Sequence, residues 1–367
     1  MHVQGPSDTA QQPIRAAIVG TGVIAEVGHL PAVRELGHEI DLVAAVDVQP
    51  ETLHQFADRW GIRGRYTALG EMLAAEAPEL VIVATPPVLH REHVAEALAS
   101  GAWVLCEKPP ALSLAEYDQM VAGEREGGPY APIVFQLRYG PGARHYRRLL
   151  TGGVLGRPLA VHCQTTWFRG PDYFEPAWRG NFRGDGGPAM ALGIHNIDLM
   201  LTMVGPWREV SAFAATTSRD IATDDVSTAV VRFESGALGT VVNSAVSPQS
   251  VSRLRIDTEL ATVELTHLYR YRNSDWTCTP ADGVAEQAVA EWANDLPDEE
   301  TNHLSQLRAV VADLRAGRRP ETSGDSGRAA LELITALYAS AFTGRTVKRG
   351  EIGVDDPFYH ALDGQLP

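Results

Sequence analysis

Residues 14–25 read Ile-Arg-Ala-Ala-Ile-Val-Gly-Thr-Gly-Val-Ile-Ala, and this stretch decides the fold of the N-terminal part of the chain. The apolar run Ala16–Val19 meets Gly20, a second glycine follows at position 22, and the small Ala25 stands three further on. This is the G-x-G-x-x-G/A spacing that joins a buried parallel strand to the N-terminus of a helix. Gly20 permits the tight turn, Gly22 clears space for a pyrophosphate, and Ala25 lets the helix pack close to the strand. The free N–H groups of Thr21, Gly22, Val23 and Ile24 at the helix start would then face phosphate oxygens. The spacing predicts a dinucleotide-binding domain. The next strand, 40–47, ends in Asp47, placed to accept hydrogen bonds from ribose hydroxyls, although an acid there could instead cap the helix that begins near Pro50. An acid repels a 2′-phosphate, and Val48 and Gln49, not an arginine, follow it. NAD is therefore expected rather than NADP.

Outward from this turn, the chain alternates short buried strands with helices. Strands are expected at 15–19, 40–47, 80–85, 103–106 and 133–138, and helices near 23–36, 50–59, 69–76, 88–99 and 113–123. Ser113 and Glu116 have the spacing of a capping box. This alternation is the doubly wound pattern. Beyond about residue 150 the texture becomes β-rich, with runs at 158–168, 209–218, 226–234, 237–246, 252–258 and 261–271, and Ser235-Gly236 reads as a hairpin turn. A helix over 188–203 interrupts these strands, and helices over 301–316 and 325–342 close the chain. Thr279–Asp298 is acidic and alanine-rich and reads as a surface excursion. The fold class is α/β: a Rossmann domain over 14–136, then an α+β domain over 137–367 on a large, mainly antiparallel open sheet. Residues 1–13 read as a disordered lead-in.

The 367 residues suit two domains. A net charge of −15 argues against nucleic acid or a membrane surface as partner. Cys106, Cys163 and Cys278 are too far apart for a C-x-x-C metal site or a disulfide framework, so no metal is expected. The N-terminus lacks the apolar segment of a signal peptide, and no run approaches the roughly 20 apolar residues of a membrane span, which points to the cytoplasm.

Candidate chemistry sits at strand ends, where open α/β sheets bind ligands. Ala84-Thr85-Pro86-Pro87 follows one strand, with His90 a turn on; Cys106-Glu107-Lys108-Pro109 follows the next. A lysine there can bind a substrate oxygen, and partial burial would lower its pKa toward proton transfer. A plain loop and a surface salt bridge are the competing readings. His195 and Asp198 are three residues apart and share a helix face, so His195 is a candidate acid/base. Trp167, Phe168, Arg169, Asp172, Tyr173, Trp178 and Arg179 supply aromatic faces and polar groups suited to a sugar ring, or else aromatic anchors for a long loop.

In this order, the Gly20 turn, Glu107-Lys108-Pro109, Gly193-Ile194-His195 and the tail Ala336–Arg345 resemble the glucose–fructose oxidoreductase and inositol dehydrogenase (Gfo/Idh/MocA) family. The resemblance implies NAD(P)-dependent hydride transfer between nicotinamide and a secondary hydroxyl or ketone of a sugar, sugar derivative or cyclitol. It implies that Lys108 and His195 are the acid/base and substrate-orienting pair. Trp178 and Arg179 would then lie near nicotinamide or substrate, Gln136 near the cofactor, and the open sheet would build a homodimer or homotetramer. Alternatives are a sugar-modifying enzyme that retains its NAD without net redox change, and a weakly catalytic ligand-sensing regulator. One position departs from the family pattern. Four residues before the histidine, where an acid or asparagine is usual, stands Ala191, in the expected substrate region with Arg169 and Tyr173.

Overall fold

The computed structural model describes residues 12–176 and 178–365. The expected lead-in, apart from Gln12 and Pro13, lies outside these residues. Five parallel strands form the first sheet: β1 (Ile14–Val19), β2 (Ile40–Val46), β3 (Gly64–Tyr66), β4 (Leu80–Val83) and β5 (Trp103–Cys106), in the order β3-β2-β1-β4-β5. β1, β4 and β5 are buried almost throughout, because helices cover both faces; their continuous apolar runs follow from that.

The expected strand at 133–138 is not formed. Ile133 makes a single bridge to Cys106, and Gln136–Tyr139 turns into a 3-10 helix. Pro132 has no N–H to give. The segment stays against β5 only around Cys106, whose N–H donates to Pro132 O (3.0 Å) and whose carbonyl accepts from Val134 N (2.8 Å); on the outer side the Ile133 N–H goes to Thr322 O (2.9 Å) and the Phe135 N–H to Gln306 Oε1 (2.9 Å). The first helix also differs from its expected form. Over Ala25–His29 it is wound as a π-turn, and it becomes α-helical at Leu30–Glu35. Pro31 explains this, since its ring would collide with the carbonyl four residues back and it offers no N–H. Glu116 N–H caps on Ser113 Oγ (3.1 Å), but the glutamate side chain accepts from Leu112 N rather than Ser113 N, so the box is half formed.

The second sheet has eight strands: β6 (Pro158–Thr166), β7 (Trp207–Ala215), β8 (Val226–Phe233), β9 (Leu238–Ser244), β10 (Val251–Thr258), β11 (Ala261–His267), β12 (Trp276–Pro280) and β13 (Val347–Lys348). Their order is β12-β11-β10-β6-β9-β8-β7-β13, antiparallel except between β6 and β9. Gly236 turns the β8–β9 hairpin with φ +88°. Alternation along β8 buries Ala229, Val231 and Phe233 and turns Thr228, Val230 and Arg232 outward. The helices Ile194–Val204 and Gly324–Thr343 cover the inner face; the outer face presents Phe213, 80 % exposed, with Val230 and Leu238. The expected helix over 188–203 divides into Pro188–Ala191 and Ile194–Val204. The excursion 279–298 is tied down by Trp292, which is buried and whose carbonyl meets His145 Nε2 at 3.1 Å. The helix His303–Ala316 returns to the first sheet. Its Leu307, Val310 and Val311 share an apolar cluster with Leu30, Val33 and Ile40.

Candidate active site

The C-terminal ends of β1, β4 and β5 open onto a cavity of about 610 Å³ whose other lining comes from residues between Trp167 and Tyr269. Gly20 has φ +88°, and a Cβ there would stand 2.7 Å from Ala84 O, so the turn is wedged against the strand beside it. At Gly22 a Cβ would meet nothing within 4 Å. Gly22, Val23 and Ile24 line the cavity with Thr85, Pro86 and Pro87. Asp47 does not cap the following helix, Pro50–Trp60, whose N-cap residue Gln49 makes no side-chain cap. Its Oδ2 accepts from Thr21 N (2.9 Å) and Oγ1 (2.7 Å), and its Oδ1 from Gln49 N (2.9 Å), so the carboxylate braces the glycine turn. His90 lies beneath this edge, fully buried, its ring nitrogens 2.9 Å from Pro109 O and 2.8 Å from Thr85 O, and so fastens the two strand-end loops together.

Glu107 and Lys108 leave β5 in opposite roles. Glu107 is 4 % exposed, and its Oε1 accepts from His29 Nε2 (2.9 Å) and His303 Nε2 (3.0 Å), while Oε2 accepts from Lys108 N (3.1 Å). Burial alone would push the carboxyl up; the two histidine hydrogen bonds overcome it and hold Glu107 well below the usual carboxylate range. His29 is driven the other way: burial lowers its pKa and keeps it neutral, with the Nε2–H tautomer required by the contact. The three ligand atoms lie within 4.8 Å of one another, close enough to hold a divalent ion, but the carboxylate is already satisfied by the two N–H donors. Neither histidine stands out in the sequence, since they lie 78 and 196 residues from Glu107.

Lys108 lines the cavity, and its Nζ donates to the backbone carbonyl of Ala191 at 3.2 Å. Burial lowers its pKa; Glu107 opposes this, and Arg179 and Arg169 add to it. The opposite wall stacks guanidinium groups on rings. Arg179 Cζ lies 4.0 Å from the Tyr173 centroid and 4.2 Å from that of Trp178, and Arg169 Cζ lies 5.0 Å from Tyr173 and 5.2 Å from Trp167. Asp185, Ser250, Leu268 and Tyr269 complete the lining with Ala191 and Leu192.

Two expected site residues stand behind this wall. His195 is 5 % exposed and is packed edge-on between Phe135 (6.3 Å) and Tyr269 (5.8 Å), and neither ring nitrogen has a hydrogen-bond partner. Burial, reinforced by the nearby Lys108 charge, holds it well below the usual imidazole range, hence neutral. Gln136 is buried beside Tyr269. Asp198, on the same helix face as His195, is taken by Arg138: Nε donates to Oδ2 at 2.7 Å and Nη2 to Oδ1 at 2.5 Å, both side chains buried. The i, i+3 spacing holds, since both residues lie on the helix Ile194–Val204, and the partner of Asp198 is Arg138.

Residues 14–130 match the model of the oxidoreductase family with an NAD-binding Rossmann fold, and 143–264 match that of the GFO/IDH/MocA C-terminal domain. The chain is 30 % identical to D-apiose dehydrogenase of Paraburkholderia graminis, over 95 % of this chain and 93 % of that protein. It is similar in structure to the WlbA dehydrogenase of Chromobacterium violaceum, solved with NADH and UDP-GlcNAcA (27 % identity, TM-score 0.82, 97 % of this chain and 100 % of the other). The WlbA dehydrogenase of Bordetella pertussis, solved with the same pair, gives 29 % identity, a TM-score of 0.81, and coverage of 92 % and 98 %. Glycine turn, strand order, open sheet and these similarities together place the chain in the GFO/IDH/MocA family of nicotinamide-dependent oxidoreductases.

Proposed function

We propose that this protein oxidises a secondary hydroxyl of a sugar or cyclitol with NAD. The observation that carries the reading is Lys108: a desolvated amine at the end of β5, in a cavity shared with the glycine turn and an aromatic–arginine wall. The turn fits a dinucleotide, because Gly22 leaves open the space a side chain would fill and Gly20 is held against Ala84. Gly22, Val23 and Ile24 would hold the pyrophosphate, Asp47 a ribose, and Thr85 and Pro86 the nicotinamide half. NAD supplies the hydride acceptor when bound.

Lys108 Nζ in its neutral form accepts the hydroxyl proton as the carbon gives up hydride, and the ammonium then holds the carbonyl oxygen. Lys108 takes this part rather than His195, because it borders the cavity and His195 does not. The neutral His195 supports the wall from behind. Tyr173, Trp178 and Tyr269 suit the apolar face of a sugar ring, and Arg169 and Arg179 its oxygen rim. NAD over NADP is favoured by Asp47, and self-association through the outer sheet face by the exposed Phe213, Val230 and Leu238. The test is absorbance at 340 nm with NAD and NADP against sugars, sugar acids and inositols. Turnover that falls on the order of 10²-fold or more in Lys108→Met, with NADH still bound, is expected; full turnover in that variant refutes the assignment.

A further inference from the structure

Two carboxylates line the cavity among the described residues, Glu107 and Asp185. Glu107 is fully engaged by two imidazoles and a backbone N–H. Asp185 is not. Among the described residues its Oδ1 accepts from Gly180 N (3.0 Å), the carboxylate also faces its own backbone N–H, and Oδ2 lies 3.8 Å from the Arg179 guanidinium, beyond hydrogen-bond length. The residue is nevertheless 3 % exposed. At Gly187, two residues on, a side chain would run into the Asp224 carboxylate. In the same cavity Lys108 Nζ donates to the peptide carbonyl of Ala191, whose side chain offers no acceptor. A desolvated carboxylate with one oxygen weakly met, in a cavity with a desolvated lysine, is a group built to be completed by a ligand.

We infer that Asp185 is a substrate-orienting residue, accepting a hydrogen bond from a hydroxyl of the sugar whose reacting oxygen Lys108 holds. The inference rests on the dehydrogenase reading for its substrate and on the cavity alone for its geometry. The groups facing Asp185 are Arg179, Lys108, Tyr173, Tyr338 and, across the small adjoining cavity, Asp224. Burial is the largest influence on it and raises its pKa to about 7, with Arg179 and Lys108 opposing. The residue thus changes charge in the working range of a neutral enzyme.

The test uses the full chain, Asp185→Asn and the double variant Asp185→Asn/Ala191→Asp. Asparagine keeps an oxygen for Gly180 N. With the sugar that the wild type oxidises best, kcat/KM is expected to fall on the order of 10²-fold in Asp185→Asn with NADH binding unchanged. The wild-type inflection of kcat/KM near pH 7 should vanish with it, and the double variant should recover at least about tenfold. A kcat/KM within twofold of wild type, with the inflection retained, overturns the inference. A second measurement needs no turnover. The chain has only two lysines, Lys108 and Lys348, so ¹³C-methylated protein gives two assignable lysine signals. The Lys108 signal should show an inflection near pH 7 that Asp185→Asn removes. Absence of that inflection in the wild type overturns the inference even where a variant fails to fold. A protein that oxidises no sugar removes the dehydrogenase reading, and the lysine signal still decides whether Asp185 faces Lys108.

Discussion

Replacing Asp185 by asparagine should make the protein more stable, by an amount that depends on pH. The carboxyl titrates near 3.8 when exposed and near 7 in the fold. An acid whose folded pKa is raised binds its proton more tightly in the folded state. It costs nothing below pH 3.8, costs about 1.4 kcal/mol more per pH unit up to 7, and is constant above. The full cost at alkaline pH is about 4 kcal/mol. Asparagine never ionises, so the advantage of the variant should grow by about 2 kcal/mol between pH 5.5 and 8.5, all of it below pH 7. For a chain of this length that corresponds to roughly 2–3 °C in Tm. Tryptophan fluorescence during urea unfolding, or scanning calorimetry, at pH 5.5, 7 and 8.5 measures it. An advantage equal at all three values, or a variant less stable than wild type at pH 8.5, refutes the argument. The expected pattern, stability gained where activity is lost, is that of a residue kept for its chemistry.

Four other outcomes follow from the geometry. Lys108→Met should keep NADH affinity within about threefold while kcat falls on the order of 10²-fold or more, read at 340 nm and by NADH fluorescence. His303→Ala removes one of the two imidazole donors from the Glu107 carboxylate and should cost about 1.5–3 kcal/mol in urea unfolding, with His303→Gln intermediate; a loss under about 0.5 kcal/mol would show the bond to be idle. Gly193→Ala drives a Cβ into Asn243 Oδ1 between the two short helices and should destabilise by about 1–3 kcal/mol in the same assay. Asp47→Ala frees the glycine turn from its brace and should raise the Kd for NADH by about tenfold, measured by fluorescence titration.

How far the sequence could be read depended on how local each cause was. β1, β2, β4 and β5 were legible because strands covered on both faces need unbroken apolar runs. The wide sheet was legible because β8 and β10 alternate inward and outward residues over eight positions. β3, three residues with Arg65 at its centre, carries no such signal and is a strand because β2 pairs with it. The segment after Pro132 looked like a strand by composition; it bonds to β5 only around Cys106, and its outer N–H groups go to acceptors at 322 and 306, far along the chain. The place of Lys108 in the cavity lining was legible from its position at a strand end. The partners of Glu107 were invisible, because His29 and His303 meet it only in three dimensions. The Arg138 partner of Asp198 was invisible for the same reason, since it lies 60 residues away on another element.

The return of the helix His303–Ala316 to the first sheet bears on how the chain is made. A ribosome completes all five strands of that sheet two hundred residues before it reaches His303. Until then Leu30 and Val33 lack the cover of Leu307 and Val310, and the buried Glu107 carboxylate lacks one of its two imidazoles. The nascent dinucleotide half is therefore an apolar, unfinished body that must wait for the last quarter of the translation product. A fragment ending near residue 136 would keep its glycine turn and still expose the surface that makes unfinished chains aggregate.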